Sequence, residues 1–173
     1  ALVVRVAASI RAADSDAHIV LGSLAPTVEM GDRNYAEDLF LRRLYVAGAG
    51  PYFDAVAVQP YGFSTGPEDR RVSRDVLNVS RAILVRDVLE AHGEGHKAVW
   101  ASHFGWNSKL PTWPGPPSIW GEVDEATQAA YTVGLLARAE REWPWMGVMC
   151  GNGFQPRPEQ AEPDDTFGPD AEE

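Results

Sequence analysis

The chain has 173 residues, 45% of them hydrophobic, with a formal net charge of −10, enough for one buried core and a single domain. That acidity repels phosphate backbones and anionic headgroups, which sets nucleic acid and membrane surfaces aside and favours a neutral or cationic ligand. Cys150 is the only cysteine, so an internal disulfide and a four-cysteine metal site are excluded, and with no adjacent base it is expected as a small buried hydrophobe.

The chain opens in an apolar helical pattern, with Val3, Val6, Ala7 and Ile10 on one face and no N-cap before them, the look of a chain that begins inside a larger design. No basic-then-apolar order marks a signal peptide, and no run reaches the roughly 18 apolar residues of a membrane span. A strand is predicted over residues 18–24, followed by a long loop to residue 33 that carries Glu29. A helix over residues 34–47 ends at Gly48-Ala49-Gly50, which reads as a C-terminal cap. The second strand covers residues 52–58 and opens into the loop Gln59-Pro60-Tyr61-Gly62-Phe63.

The next helix is predicted over residues 73–92. Val76, Leu77, Val79, Ile83, Leu84, Val88 and Leu89 form its apolar face, with Arg71, Arg74, Arg81, Arg86 and Asp87 turned outward. The third strand, residues 97–102, runs into His103 and a loop holding Trp106, Asn107, Ser108, Trp113 and Trp120. A fourth helix over residues 122–142 starts at Val123-Asp124-Glu125, where negative charge suits the helix dipole. Ala130, Val133, Leu136 and Ala137 repeat on it, and residues 145–149 form the last strand. The segment at residues 154–173 is rich in Pro and acidic residues, too polar to bury, and is expected to be disordered.

Apolar strands alternating with amphipathic helices imply a parallel α/β sheet covered by helices. No Gly-x-Gly-x-x-Gly follows the first strand, which argues against a dinucleotide fold and, with no phosphate loop, against a flavodoxin-like nucleotide binder. Long loops follow the strands and short ones precede them, the signature of a barrel that works at its strand carboxyl ends. Four strands are half of the eight a barrel needs. The expected fold is therefore a parallel (β/α) half-barrel over residues 1–153, with open edge strands suited to self-association or to a missing amino-terminal half.

His103, at the carboxyl end of the third strand, stands where substrate would lie. Gln59 and Tyr61 face the same mouth, and Tyr61 is either a hydrogen-bonding group or a half-buried turn aromatic. Trp106, Asn107, Trp113 and Trp120 either bind a sugar, whose apolar face stacks on indole, or staple a long loop. Glu29 is a spare carboxylate on this face, or a solvated charge. His18, His92 and His96 fall at the opposite end, and Gly93 and Gly95 break the helix that would align the last two, so no metal or other cofactor is expected. A Ser102–His103 nucleophile pair is excluded by strand alternation.

The segment Trp-Ala-Ser-His-Phe-Gly-Trp-Asn at residues 100–107 resembles the seventh strand of clan A glycoside hydrolases, of the β-xylosidase and cellulase kind in families 39 and 5. Residues 19–26, 53–63 and 143–149 resemble their fifth, sixth and eighth strands, and Ser118-Ile-Trp-Gly with Gln128-Ala-Ala-Tyr131 also fits. The resemblance spans about residues 1–155 and implies the carboxyl-terminal half of a retaining barrel acting on β-linked oligosaccharides or glycosides. It admits secretion, though the sequence names no compartment. It also implies a deficit. The family's nucleophilic Glu is replaced by His103, its Asn-Glu acid/base pair would lie before Ala1, and Cys150-Gly-Asn-Gly153 stands where an indole is usual. Retaining hydrolysis needs two carboxyl groups about 5–5.5 Å apart, so the chain alone is expected to be inactive, leaving a non-catalytic carbohydrate-binding half-barrel as the alternative.

Overall fold

The structure, a computed structural model, describes residues 2–29, 34–109 and 115–151; Trp113 and the predicted tail at residues 154–173 lie outside the described residues. Helices and strands alternate: α1 (Leu2–Ala13), β1 (Val20–Leu24), α2 (Glu37–Val46), β2 (Ala55–Val58), α3 (Ala82–Ala91), β3 (Ala98–Phe104), α4 (Glu125–Glu142) and β4 (Met146–Gly151). The strands are all parallel and pair in chain order, β1-β2-β3-β4. A doubly wound sheet reverses its strand order at a switch point. Here the order never reverses, so each crossover proceeds in one direction and the unit is a (β/α) half-barrel.

One face of the sheet meets the helices. Leu21, Leu24, Val56, Val58 and Val99 pack with Leu41 of α2 and with Val85, Val88 and Leu89 of α3. Ala101 and Phe104 pack with Leu135 and Ala139 of α4, joined by Val79, Trp106 and Trp143. Burying branched aliphatics of this kind contributes about 1.5–3 kcal/mol each before entropy is counted. The inner face mixes small residues with the indole of Trp100, which is in register with Ala57 and 2.8 Å from where a Cβ on Gly147 would fall. Only β2 is buried on both sides; β1 and β4 leave Gly22, Ser23, Gly147 and Val148 exposed. Gly22 is required there, because its φ is +116° and a Cβ would sit 2.6 Å from the Ala57 carbonyl oxygen.

Three expectations need correction. The helix predicted from residue 73 begins with a 3-10 turn at Val79–Arg81 and becomes α-helical at Ala82. Arg81 is the reason, and it is buried rather than turned outward: its Nη1 donates to the carbonyls of Ser73 (3.2 Å), Arg74 (2.5 Å) and Val76 (3.2 Å), holding residues 73–78 in an irregular loop. Cys150 is exposed, because it lies on edge strand β4, whose inner face the described residues leave uncovered. On α4 the face expected to be apolar, Ala130, Val133 and Leu136, is exposed and the helix buries Leu135, Arg138 and Ala139 instead, while the expected charge at its start caps it, the Asp124 carboxylate accepting the Thr127 N–H at 2.6 Å.

Candidate functional site

At the carboxyl end of the sheet the pairing of β2 and β3 continues into the loops through a bridge between Tyr61 and Gly105, with the Gly62 N–H donating to the Gly105 carbonyl at 3.0 Å. This extension carries Tyr61 above the strand ends. Its ring meets Phe63 edge-on at 6.2 Å, and Phe63 meets Trp120 at 6.0 Å. Phe63 adopts a left-handed φ of 52°, a conformation costly for an aromatic residue and here accompanied by ring contacts on both sides. Tyr61 and Phe63 are half-buried, whereas Trp120 is 58% exposed. Burial pushes the Tyr61 phenol up from its ordinary range, so at neutral pH it is a protonated donor. Gln59 is half-buried beside this row, its N–H donating to the Leu24 carbonyl.

His103 is exposed near the end of β3. The alternation expected to separate it from Ser102 is interrupted, because the three-residue step from Ala101 to Phe104 faces the two-residue step from Met149 to Gly151 on β4. Ala101 and Phe104 both point into the helix-side core, which leaves Ser102 and His103 together in the interval between them. A nucleophile pair still does not form. Ser102 Oγ donates to the Val58 carbonyl at 3.2 Å, and Ser23 Oγ lies 2.5 Å from Ser102 Oγ. Ser102 is thus engaged by the Val58 carbonyl and the Ser23 hydroxyl and not by the neighbouring imidazole. The two serines thereby span β2 on its inner face.

Trp106 is buried. Its indole N–H donates to the Thr65 carbonyl at 2.6 Å, its carbonyl accepts from Gln128, and Tyr131 meets its ring edge-on at 5.2 Å. A Cβ on Gly62 would fall 1.9 Å from the indole, so that ring face is closed too. Of the two roles open to it, Trp106 takes the staple. Asn107 is exposed, with its carbonyl accepting the Val123 N–H at 2.9 Å.

Glu29 is exposed and accepts a hydrogen bond from Asn34. Other carboxylates of these loops are engaged as well: Glu122 with Lys109, Glu68 with Arg70, and Asp69 with Arg71, whose hydrogen bond holds the Asp69 carboxyl well below its usual range. Beside Ser23 a cleft of about 530 Å³ opens between the end of β1 and α2, lined among others by Pro26, Asn34, Tyr35 and Phe40. Among the described residues no group of His, Cys, Asp and Glu could hold a metal ion, and no helix is long and apolar enough to cross a membrane.

Sequence reading did not single out Ser23, Phe63 or the two arginines that fix the loops. Arg81 forms a buried pair with Glu37 (2.7 and 2.8 Å) and donates to the Thr27 carbonyl at 2.9 Å, tying the first strand's loop to the second's. Arg138 donates to the carbonyls of Pro67 (2.6 Å) and Asp69 (3.1 Å). The rim can thus offer exposed aromatic surface, a phenol, an amide and an imidazole on a fixed base. No family model matches the chain, and no curated protein matches it.

Proposed function

We propose that the chain is a glycoside-hydrolase-type half-barrel that binds β-linked saccharide along its carboxyl-end rim and does not hydrolyse it unaided. The observation that carries this reading is the row Tyr61–Phe63–Trp120 at the strand ends that also carry Gln59 and His103. Partly exposed rings fit the apolar faces of sugars, and the flanking amide, phenol and imidazole fit their hydroxyls. A separate cleft of about 530 Å³ at the end of β1 has the size of a small-molecule site. Hydrolysis with retention needs a nucleophilic carboxylate and an acid/base. His103 stands at the position where the resembling family carries the nucleophile, and an imidazole does not form the glycosyl ester on which the second step depends.

Titration of tryptophan fluorescence with xylo- and cello-oligosaccharides tests the reading. A saturable change that Trp120→Ala abolishes is expected, and a flat response across the panel overturns it. Aryl β-glycosides test the second half of the statement. Turnover by the unaltered chain would refute the loss of catalysis and turn attention to Glu29, whereas turnover only by His103→Glu mixed with an amino-terminal half-barrel would place the chain's origin in a hydrolase.

A further inference from the structure

We propose that the rim reads the twist of its ligand: it takes a free, single β-linked glycan chain whose sugars turn from one to the next, and not the flat face of a crystalline polysaccharide. The inference rests on the saccharide reading above and names the physical form of saccharide that the row Tyr61–Phe63–Trp120 accepts.

The angles within the row carry it. Phe63 stands at 81° to Tyr61 and at 58° to Trp120. Because these two angles differ, Tyr61 and Trp120 are not parallel to each other either, so no two of the three rings share a plane. A sugar stacks on an aromatic ring face against face, and a crystalline β-glucan presents its sugar faces in one plane. Such a face can lie on one ring of the row at a time, and Trp120, at 58%, is the most exposed of the three. A chain in solution turns at each glycosidic bond. Its successive sugars can therefore meet rings set at different angles, and the contacts add within one ligand.

The backbone holds the angles. Tyr61 is bridged to Gly105, with the Gly62 N–H on the Gly105 carbonyl, and the Thr65 N–H and hydroxyl both donate to the Gly62 carbonyl, closing a turn around Phe63. Gly121 presses on that turn from the loop after β3. Its φ is +81°, and a Cβ on it would fall 2.6 Å from Ser64 Oγ and 3.1 Å from the Phe63 carbonyl oxygen. The two loops thus meet without a gap at Phe63, which leaves its half-buried ring little room to turn into the plane of either neighbour.

Binding of the full chain to soluble and solid forms of saccharide tests this. The soluble arm is calorimetric titration with the hexasaccharides of the cello- and xylo-series; the solid arm is depletion from suspensions of acid-swollen cellulose, whose chains are separated, and of microcrystalline cellulose. A hexasaccharide should bind at least about tenfold more tightly than the microcrystalline surface, the difference that a second stacked ring makes, and should displace the chain from any swollen cellulose that retains it. Tyr61→Ala should weaken hexasaccharide binding by about the same factor, and Tyr61→Phe, which keeps the ring, should not. Microcrystalline cellulose bound as tightly as the best hexasaccharide overturns the inference and leaves the saccharide reading standing, a comparison made on the unaltered chain and so independent of how any variant folds. A folded Tyr61→Ala chain that binds hexasaccharide like the parent does the same, since a single ring would then suffice. No binding to any soluble or solid form overturns both.

Discussion

The loops after β2 and β3 are alike in sequence, both long and rich in aromatic, Gly and Pro residues, yet they are held in opposite ways. The loop after β2 is fastened from beneath by buried cations: Arg81 reaches the carbonyls of Ser73, Arg74 and Val76, and Arg138 reaches those of Pro67 and Asp69. The loop after β3 is fastened by the Trp106 indole, by a bridge between Ser108 and Val123 with the Val123 N–H on the Asn107 carbonyl, and by an ion pair between Lys109 and Glu122, while Trp120 and Asn107 stay exposed. The first loop is a platform that carries Tyr61 and Phe63, and the second sets the exposed Trp120 against Phe63. Function in barrels is carried by loops positioned on a rigid scaffold, and here both loops contribute rings.

The sharpest way to break the contrast is Arg81→Ala. It strands the Glu37 carboxylate in the interior and leaves the carbonyls of Thr27, Ser73, Arg74 and Val76 without their donor. Removing one partner of a buried pair costs about 3–5 kcal/mol, and the orphaned carbonyls add to that, which approaches the whole stability of an ordinary domain. Loss of the cooperative urea transition at 25 °C is the expected result; a transition weakened by less than about 1 kcal/mol would show the clamp to be dispensable. Trp106→Ala attacks the other loop. It empties the space over Gly62 and frees the Thr65 carbonyl, and should cost about 3–5 kcal/mol, as large-to-small substitutions of buried aromatics do.

Acid should loosen the platform. Hydrogen bonds from Arg70, and then Arg138, bring the Glu142 carboxyl down from 4.5 to about 2, and Arg71 does the same in direction for Asp69. A carboxyl whose pKa is lowered by folding contributes stability above its unfolded pKa and loses it as pH falls toward the folded value. The urea midpoint should therefore decline between pH 4.5 and about 2, and Glu142→Gln should flatten that decline. An unchanged slope in the variant would remove Glu142 from the account.

The alternation of helices and strands was legible because apolar periodicity reflects which face meets the core. The start of α3 was not, since Val76 and Leu77 extend the apolar pattern while the carbonyls around them are claimed by Arg81. Even so, a signal was present. Arg81 falls four and seven residues before Val85 and Val88, and Arg138 three after Leu135, so helical spacing sets both on the buried face. Charge type alone suggested solvent, whereas a guanidinium with five donors can be satisfied by loop carbonyls inside. His103, Gln59 and Tyr61 were legible at the strand ends. The meeting of Ser102 and Ser23 across β2 was hidden, because it depends on register shifts in β1 and β3 that break the two-residue period.

Trp120→Ala draws the finest distinction between staple and presenter. More than half of this indole is exposed, and its ring contact is a tilted approach to Phe63 at 6.0 Å. Trp106, by contrast, has a donor–acceptor pair and a closed ring face. Truncating an exposed side chain outside such features changes stability by no more than about 0.5 kcal/mol. Loss of the Phe63 contact adds little, since aromatic pairs contribute about 0.5–1.5 kcal/mol at most. The expected pattern is a stability loss of no more than about 2 kcal/mol, smaller than that of Trp106→Ala, together with loss of the saccharide-induced fluorescence change. If instead Trp120→Ala lowers stability as far as Trp106→Ala does, both indoles are staples, and the loop after β3 is a second platform with no ligand-facing ring among its described residues.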